Sequence, residues 1–442
     1  MDDEKTKLRG EILELTRKYY HAAHRPKPYE KGGRIPYAGR VFDEKEIVSL
    51  VDSSLEFWLT AGRYSHEFET ALSQRVGVKS SLFVNSGSSA NLVALSALTS
   101  HLMGERRVGK GDEVITTAAS FPTTVNPIFQ NGAVPVFIDT VPGNYNLDVS
   151  RLEEALSGRT KAVMVAHTLG NPFDLDAVAS FCKKHGLFLV EDCCDALGAT
   201  WDGKQVGTFG DVSTLSFYPA HHITTGEGGA VLTSSPLIKK AAESFRDWGR
   251  DCWCQPGKDN TCGMRFGWKL GQLPFGYDHK FIYSHIGYNL KASDMQAAIG
   301  VEQLKKLDSF IEARRSNHRF LQNQLKEYQD SFLLPEHHPK ANPSPFGFVL
   351  TVREEAQFSK QEIVAHLEKN GIATRNVFAG NIIRQPAYSG EKYRTIGSLE
   401  GADMIMNRSF WVGVYPGLDG PRLAATAEAF HSFFRQKRVK PA

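Results

Sequence analysis

Short apolar runs recur along the chain, separated by polar stretches whose apolar residues fall at helical spacing. SSLFV (80–84), DEVITT (112–117), AVPVFID (133–139), KAVMVAH (161–167), GLFLVED (186–192) and GGAVLTS (228–234) have the length and β-branched content of buried strands. ANLVALSALTSHL (90–102) and LDAVASFCKKHG (175–186) read as helices between them. This alternation, from about residue 43 to 310, predicts an α/β fold with a large, mostly parallel sheet and helices on both faces. Leu8, Ile12, Leu15 and Tyr19 mark an amphipathic helix over 4–24, which Pro26, Pro28, Gly32 and Gly33 break into a linker. The expected organisation is an N-terminal helix and linker (1–40), a large domain (41–312) and a smaller C-terminal α/β domain (313–442) that begins with a long helix. A Gly- and aromatic-rich loop over 252–285, including WCQPGKDNTCGMRFGWKLGQLPFGYDHK, interrupts the large domain; an aperiodic insertion of that size usually has a function. No internal repeat and no low-complexity tract is present.

Composition narrows the class. With 41% hydrophobic and 23% charged residues in 442, the chain reads as an ordinary globular protein. A net charge of +3 implies no polyanion-binding surface, so no nucleic-acid partner is expected. No apolar run reaches the roughly 18 residues of a membrane span, and MDDEKTKLRGEILELTRKYY has no apolar signal core, so a cytoplasmic protein is expected. Five of six cysteines (Cys193, Cys194, Cys252, Cys254 and Cys262) fall between 193 and 262. A large cytosolic protein has little use for disulfides, so the clustering points to a metal or redox site. Cys182, in a helical run, reads as packing.

Two local motifs carry chemistry. NSGSSANLVALSAL (85–98) follows a strand and opens a helix, so Gly87, Ser88, Ser89 and the helix amides suit a phosphate, or simply form a serine-rich cap. In LFLVEDCCDALGA, Asp192 ends a buried strand, where it faces the ligand crevice of an open α/β sheet or caps the next turn.

Taken in order, the serine-glycine motif, TAASFPTT (117–124), VEDCCDA (190–196), SFYPAHHITTGEGG (216–229) and IGYNLKASDMQAAIG (286–300) resemble the DegT/DnrJ/EryC1 sugar aminotransferases and dehydratases, which are fold-type-I pyridoxal enzymes. The resemblance runs from about Pro36 to the C-terminus. It implies that Gly87, Ser88 and Ser216 hold a cofactor phosphate, that Phe121 stacks on the ring, and that Asp192 pairs with the pyridine nitrogen, with Asp195 nearby. It also implies a homodimer in which Asn289 reaches the partner's phosphate.

One position departs from the aminotransferase pattern. Five residues after Ser216, where those enzymes carry the Schiff-base lysine, stands His221. Imidazole, with a pKa of about 6.5, shuttles protons but has no primary amine. The resemblance therefore implies noncovalent pyridoxamine 5′-phosphate and the lysine-free 3-dehydratases, with His221 as the base. His222 as base, or a decayed relative without activity, are the other readings.

The spacing C-x57-C-x-C-x7-C over Cys194, Cys252, Cys254 and Cys262 resembles the iron–sulfur branch of these dehydratases and implies a 2Fe–2S cluster. Zinc, free thiols, and Cys193 in place of Cys194 are the alternatives. Cys194 lies two residues past Asp192, so a cluster there is expected near the cofactor, with the long loop carrying the other three thiols to it.

The implied activity is C3 deoxygenation of CDP-4-dehydro-6-deoxy-D-glucose in O-antigen synthesis, with electrons from a flavin iron–sulfur reductase. A cluster-free dehydratase, a sugar aminotransferase and a non-enzymatic zinc protein are the competing classes. Arg375, Arg408 and Lys258 receive no role from sequence, and neither the nucleotide nor the reductase surface is readable.

Overall fold

The computed structural model describes residues 2–24, 27–254 and 256–437. Pro26 of the expected linker, and the chain's last five residues, lie outside the described residues. The N-terminal helix spans Asp2–Ala23.

Strands are numbered in chain order: β1 (Ser80–Val84), β2 (Glu113–Thr117), β3 (Val134–Ile138), β4 (Thr160–Ala166), β5 (Phe188–Asp192), β6 (Thr200–Trp201), β7 (Lys204–Gln205), β8 (Val212–Ser216), β9 (Gly229–Thr233), β10 (Phe332–Leu333), β11 (Ala341–Asn342), β12 (Gly347–Val352), β13 (Thr374–Asn376), β14 (Arg394–Thr395) and β15 (Ser409–Gly413). The large sheet has the order β1-β9-β8-β5-β4-β2-β3-β14. All its pairings are parallel except those of β9, which runs antiparallel to β1 and β8. The α/β fold expected from the alternation is therefore the fold observed. Its central strands are buried at every position because helices cover both faces, which is why they read as continuous apolar runs. Two apolar clusters, one around Phe68, Phe173 and Trp201 and one around Val93, Leu95 and Val114, form the core.

Helix boundaries follow from capping. Asp174 accepts the Ala177 N–H at the start of Leu175–His185, and Gly186 ends that helix at φ 66, a left-handed position that costs glycine little. Cys182 packs within this helix, 4% exposed.

A second sheet, β10-β12-β15-β13, is antiparallel throughout and buries Phe348 and Phe410 with Phe430 of the helix Gly420–Lys437. The C-terminal region also gives the large sheet its edge strand, β14, which pairs with β3, and Arg394 there bonds Glu113 at 2.8 Å. Burial pushes the Glu113 carboxyl up, but Arg159, Arg394 and Ser157 outweigh this and hold it down at about 2. This seam brings Phe346, Arg375 and Trp411 of the C-terminal region over the ends of the large-sheet strands. Among the described residues no helix is long and apolar enough to cross a membrane.

Candidate active site

Because β1, β2, β4, β5 and β8 all run the same way, their C-terminal ends share one edge, the place where open α/β sheets bind ligands. The segments that follow them line a cavity of about 310 Å3. Gly87, Ser88, Phe121, Asp192, Cys194, Asp195, Ser216 and His221 all border it.

The helix Gly87–Leu98 begins there, with Ser86 as its cap accepting the Ser89 N–H at 3.0 Å. A Cβ on Gly87 would stand 2.4 Å from that of Ser216, so only glycine lets the helix start this close to the end of β8. The result is a positive helix end flanked by two serine hydroxyls, suited to a phosphate.

Asp192 is oriented from three sides. One carboxylate oxygen accepts Asn91 Nδ2 at 2.8 Å and Thr124 Oγ1 at 2.7 Å, and the other accepts the Cys194 N–H at 3.0 Å. Thr214 in turn donates to Asn91 Oδ1 at 2.6 Å, which leaves the Asn91 amide hydrogens for Asp192. All three donors to Asp192 are neutral, so its negative charge is retained for a cation in the cavity.

His221 sits in the turn after β8, its Nδ1 3.3 Å from Asp195 Oδ1. Asp195 Oδ2 is buried with no hydrogen-bond partner. Behind the pair lies Arg314, 1% exposed, which donates to the carbonyl oxygens of Ala220 and His221 at 3.3 and 3.0 Å and to those of Pro345 and Phe346 at 3.4 and 3.2 Å. Burial lowers the Arg314 guanidinium to about 10, with Asp195 opposing the shift, so it stays charged at neutral pH. His222 faces away from the cavity. It is 3% exposed, bonds the Ser344 carbonyl at 3.0 Å, and burial drives its imidazole well below the ordinary range. No lysine lines the cavity among the described residues. Phe121, 49% exposed, meets Phe378 edge-on at 6.1 Å.

Other expected positions lie elsewhere. Asn289 is exposed outside the cavity, accepting from Lys291 Nζ at 3.1 Å. Cys252 and Cys254 line a separate groove with Trp58, His66, Lys79 and Lys258. There the Cys254 N–H approaches Cys252 Sγ at 3.5 Å, and Cys262 Sγ accepts the Met264 N–H at 3.4 Å. The expectation that the long loop carries these thiols to Cys194 does not hold within one chain, since no described residue of 248–286 reaches the cavity. The loop's neck is fastened elsewhere, by bridges Asp247–Asn289 and Arg250–Tyr283 and by a 2.7 Å contact between Asp251 and His279. His285 is held between Ser100 and Ser244 at 2.7 and 2.8 Å.

Among the described residues, the one group of three metal-type ligands within 4.8 Å is His167, Glu191 and Cys193. Glu191 there already accepts the amides of Gly207, Phe209 and Gly210 at 2.8, 2.8 and 2.6 Å, and His167 lies at 3.1 Å, so the group is a saturated core network. Cys193 belongs to that core, its thiol pushed well up by burial, whereas Cys194 borders the cavity.

Sequence reading missed Asn91, Thr124 and Arg314. Thr124 is in the quoted TAASFPTT block, and Asn91 lies one helical turn after Gly87. Arg314 falls in register with Leu307, Phe310 and Ile311 on the apolar stripe of the helix Leu307–Leu325, a placement that marks a buried, partnered charge. Of the unassigned arginines, Arg375 borders the cavity, 3.9 Å over the Tyr37 ring, while Arg408 bonds the Arg353 carbonyl away from it.

Comparison with known proteins matches residues 42–431 to the model of the DegT/DnrJ/EryC1/StrS aminotransferase family. The chain is 52% identical over 428 residues to the lipopolysaccharide biosynthesis protein RfbH of Salmonella typhimurium, covering 97% of this chain and 98% of that one. It is 49% identical over 422 residues to dTDP-4-dehydro-2,6-dideoxy-D-glucose 3-dehydratase of Saccharopolyspora spinosa, covering 96% and 91%. Its fold superposes on the structure of E. coli GDP-4-keto-6-deoxy-D-mannose-3-dehydratase with bound hydrated PLP at a TM-score of 0.80 and 27% identity, covering 90% of this chain and 99% of that one. With a family match over most of its length, two relatives near half identity and the fold of a pyridoxal enzyme, the chain belongs to the DegT/DnrJ/EryC1/StrS aminotransferase family.

Proposed function

We propose that the chain is a nucleotide-sugar 3-dehydratase that holds pyridoxamine 5′-phosphate without a covalent link. The observation that carries this reading is an imidazole, His221, beside Asp195 in a cavity that no lysine lines among the described residues. The residues present fit the cofactor: a helix end with Gly87, Ser88 and Ser216 for the phosphate, Phe121 beside the ring, and Asp192, with neutral donors only, for a pyridinium nitrogen. When bound, pyridoxamine phosphate supplies an amine for a 4-keto group and a ring that withdraws electrons. Asp192 keeps the ring nitrogen protonated, and Asp195 stabilises positive charge on His221. His221 then moves a proton at Nε2, first from the reacting carbon and afterwards towards the departing C3 hydroxyl.

The favoured substrate is CDP-4-dehydro-6-deoxy-D-glucose, in O-antigen synthesis. The role carried in the name of the Salmonella relative supports the pathway, and the dTDP sugar of the Saccharopolyspora relative is the second reading for the nucleotide. A homodimer, with Asn289 serving the partner's phosphate, completes the site. Cys194, Cys252, Cys254 and Cys262 would be the ligands of a 2Fe–2S cluster, which would supply one-electron chemistry with a flavin iron–sulfur reductase as donor. Their number and donor chemistry suit that cluster; their placement within one chain does not, and no step is derived through it.

The test is turnover of the CDP and dTDP sugars with reductase, followed by mass spectrometry. A product lighter by one oxygen supports the reading. Borohydride treatment should leave the protein mass unchanged, and cofactor fixed to the chain would instead indicate lysine-based transamination.

Two variants probe the parts separately. Gly87→Ala forces a methyl group against Ser216 and is expected to weaken cofactor binding by about ten- to a hundredfold, read by titration of cofactor absorbance. Cys254→Ser is expected to lose iron while keeping cofactor-dependent elimination in the absence of reductant; normal iron content would remove Cys254 from the ligand set.

A further inference from the structure

We infer that a second cavity, one wall away from His221, binds a nucleoside monophosphate or a phosphate ester of similar size. This cavity has a volume of about 370 Å3, room enough for such a molecule. It lies between the helix Leu307–Leu325, the turn 168–171 that follows β4, and the segment 335–347. Leu169 borders both cavities. Pro345 and Gly347 border the second while Phe346, between them, borders the first. Alternate residues of an extended chain face opposite sides, so one strip of chain belongs to both walls. The Phe346 ring lies 5.2 Å from that of His221, so a ligand in the second cavity touches the strip that backs the imidazole.

The shared wall is held under constraint. Leu169 has φ 50, in the left-handed region that a branched side chain seldom adopts. Gly170 follows at φ 86, and a Cβ there would run into the Ser344 carbonyl oxygen. The N–H groups of Ser344 and Phe346 donate to the carbonyls of Gly170 and Leu169 at 3.0 and 2.9 Å. Backbone fixed in this way is found at ligand clamps.

Three features of the lining define the ligand. The first is positive charge. Arg315 and Arg319 stand about one turn apart on the helix, and the exposed Glu336 is the one carboxylate in the lining among the described residues. Arg315 bonds the carbonyls of Pro343, Gly198 and Asn342 at 2.8, 3.2 and 3.4 Å and pairs with no carboxylate among the described residues, so its charge is open to a phosphate. His318, between the two arginines, makes no hydrogen bond among the described residues. Burial, with His337 nearby, lowers its imidazole to about 4, so at neutral pH it is an uncharged donor. The second feature is an apolar wall of Leu169, Pro335, Pro343, Pro345 and Val349, suited to a flat ring. The third is an unpartnered acceptor. Asn171 Nδ2 donates to the carbonyls of Asn144 and Glu336 at 3.1 and 2.9 Å, while its buried Oδ1 meets no donor. A ribose hydroxyl supplies one. Phosphate, ring and hydroxyl together are the parts of a nucleoside monophosphate.

Titration calorimetry with cytidine 5′-monophosphate (CMP) tests this. The protein is first loaded with pyridoxamine phosphate and freed of excess, so that the phosphate cradle at Gly87 is filled. CMP affinity should fall about tenfold or more in Arg319→Glu, an exposed change that spares the fold, and in Arg315→Gln, whose folding is checked by thermal unfolding. Ala220→Trp, which obstructs the first cavity, should leave it within about twofold of wild type. Loss in Ala220→Trp with wild-type affinity in both arginine variants would seat CMP in the first cavity and overturn the inference. Absence of binding at millimolar CMP overturns it equally. Inorganic phosphate held as tightly as CMP would overturn the nucleotide class. The readout is binding alone, so none of these outcomes touches the dehydratase reading.

Discussion

His221→Asn is expected to lower turnover by about 10²–10⁴-fold, the range for loss of a positioned general base, while cofactor affinity changes little. Asn fills much of the imidazole volume and keeps a polar group near Asp195, so the cavity should survive. What is lost is the ring nitrogen that can take up and give back a proton. The neighbouring His222 cannot take over, because it bonds the Ser344 carbonyl and burial holds it neutral. The measurements are single-turnover elimination and cofactor titration on the same sample. Unchanged elimination would move the base elsewhere, and loss of cofactor would make His221 a binding residue. His221→Lys supplies the missing amine at the same place. It should abolish dehydration and capture pyridoxal phosphate covalently, seen as a mass increase after borohydride.

Asp192→Asn should be the more damaging change for binding. Removing one partner of a buried, hydrogen-bonded charge pair costs about 2–5 kcal/mol, so cofactor affinity should fall by about 30-fold or more. Turnover should fall further, because an unprotonated ring withdraws electrons poorly. The amide also sets its own NH2 among the donors Asn91, Thr124 and the Cys194 N–H, where a carboxylate only accepts. Thermal unfolding without cofactor separates that local conflict from the loss of charge. Wild-type affinity with a normal melting temperature would exclude Asp192 as the pyridinium partner.

What could be read from sequence was whatever is local. The strand runs, the cap before Gly87 and Asp192 at the end of β5 each depend on a few neighbouring residues, and periodicity exposes them. The eight cavity residues come together because parallel strands align their ends, which the α/β rhythm already implies. Asn91 and Thr124 escaped because a donor to a carboxylate leaves no periodic trace; each looks like an ordinary polar residue at the start of a helix. Arg314 did leave one, a charge in step with buried neighbours, but its partners are carbonyl oxygens about 30 and 90 residues away in sequence. The path of the long loop was not legible at all. Nothing in a glycine- and aromatic-rich stretch states which way it folds, and the pairs that fix it, such as Asp251 with His279, form only after the chain has turned.

The hydrogen bonds of Arg314 all go to main-chain oxygens. The side chain at 220 can therefore change without loosening that grip, whereas the Phe346 ring, 5.2 Å from the His221 ring, is part of what holds the imidazole. Ala220 and Phe346 both border the cavity. A lineage can thus alter the cavity wall at 220 while the backbone hold beneath His221 stays in place, so new preferences need not first pass through inactive ancestors.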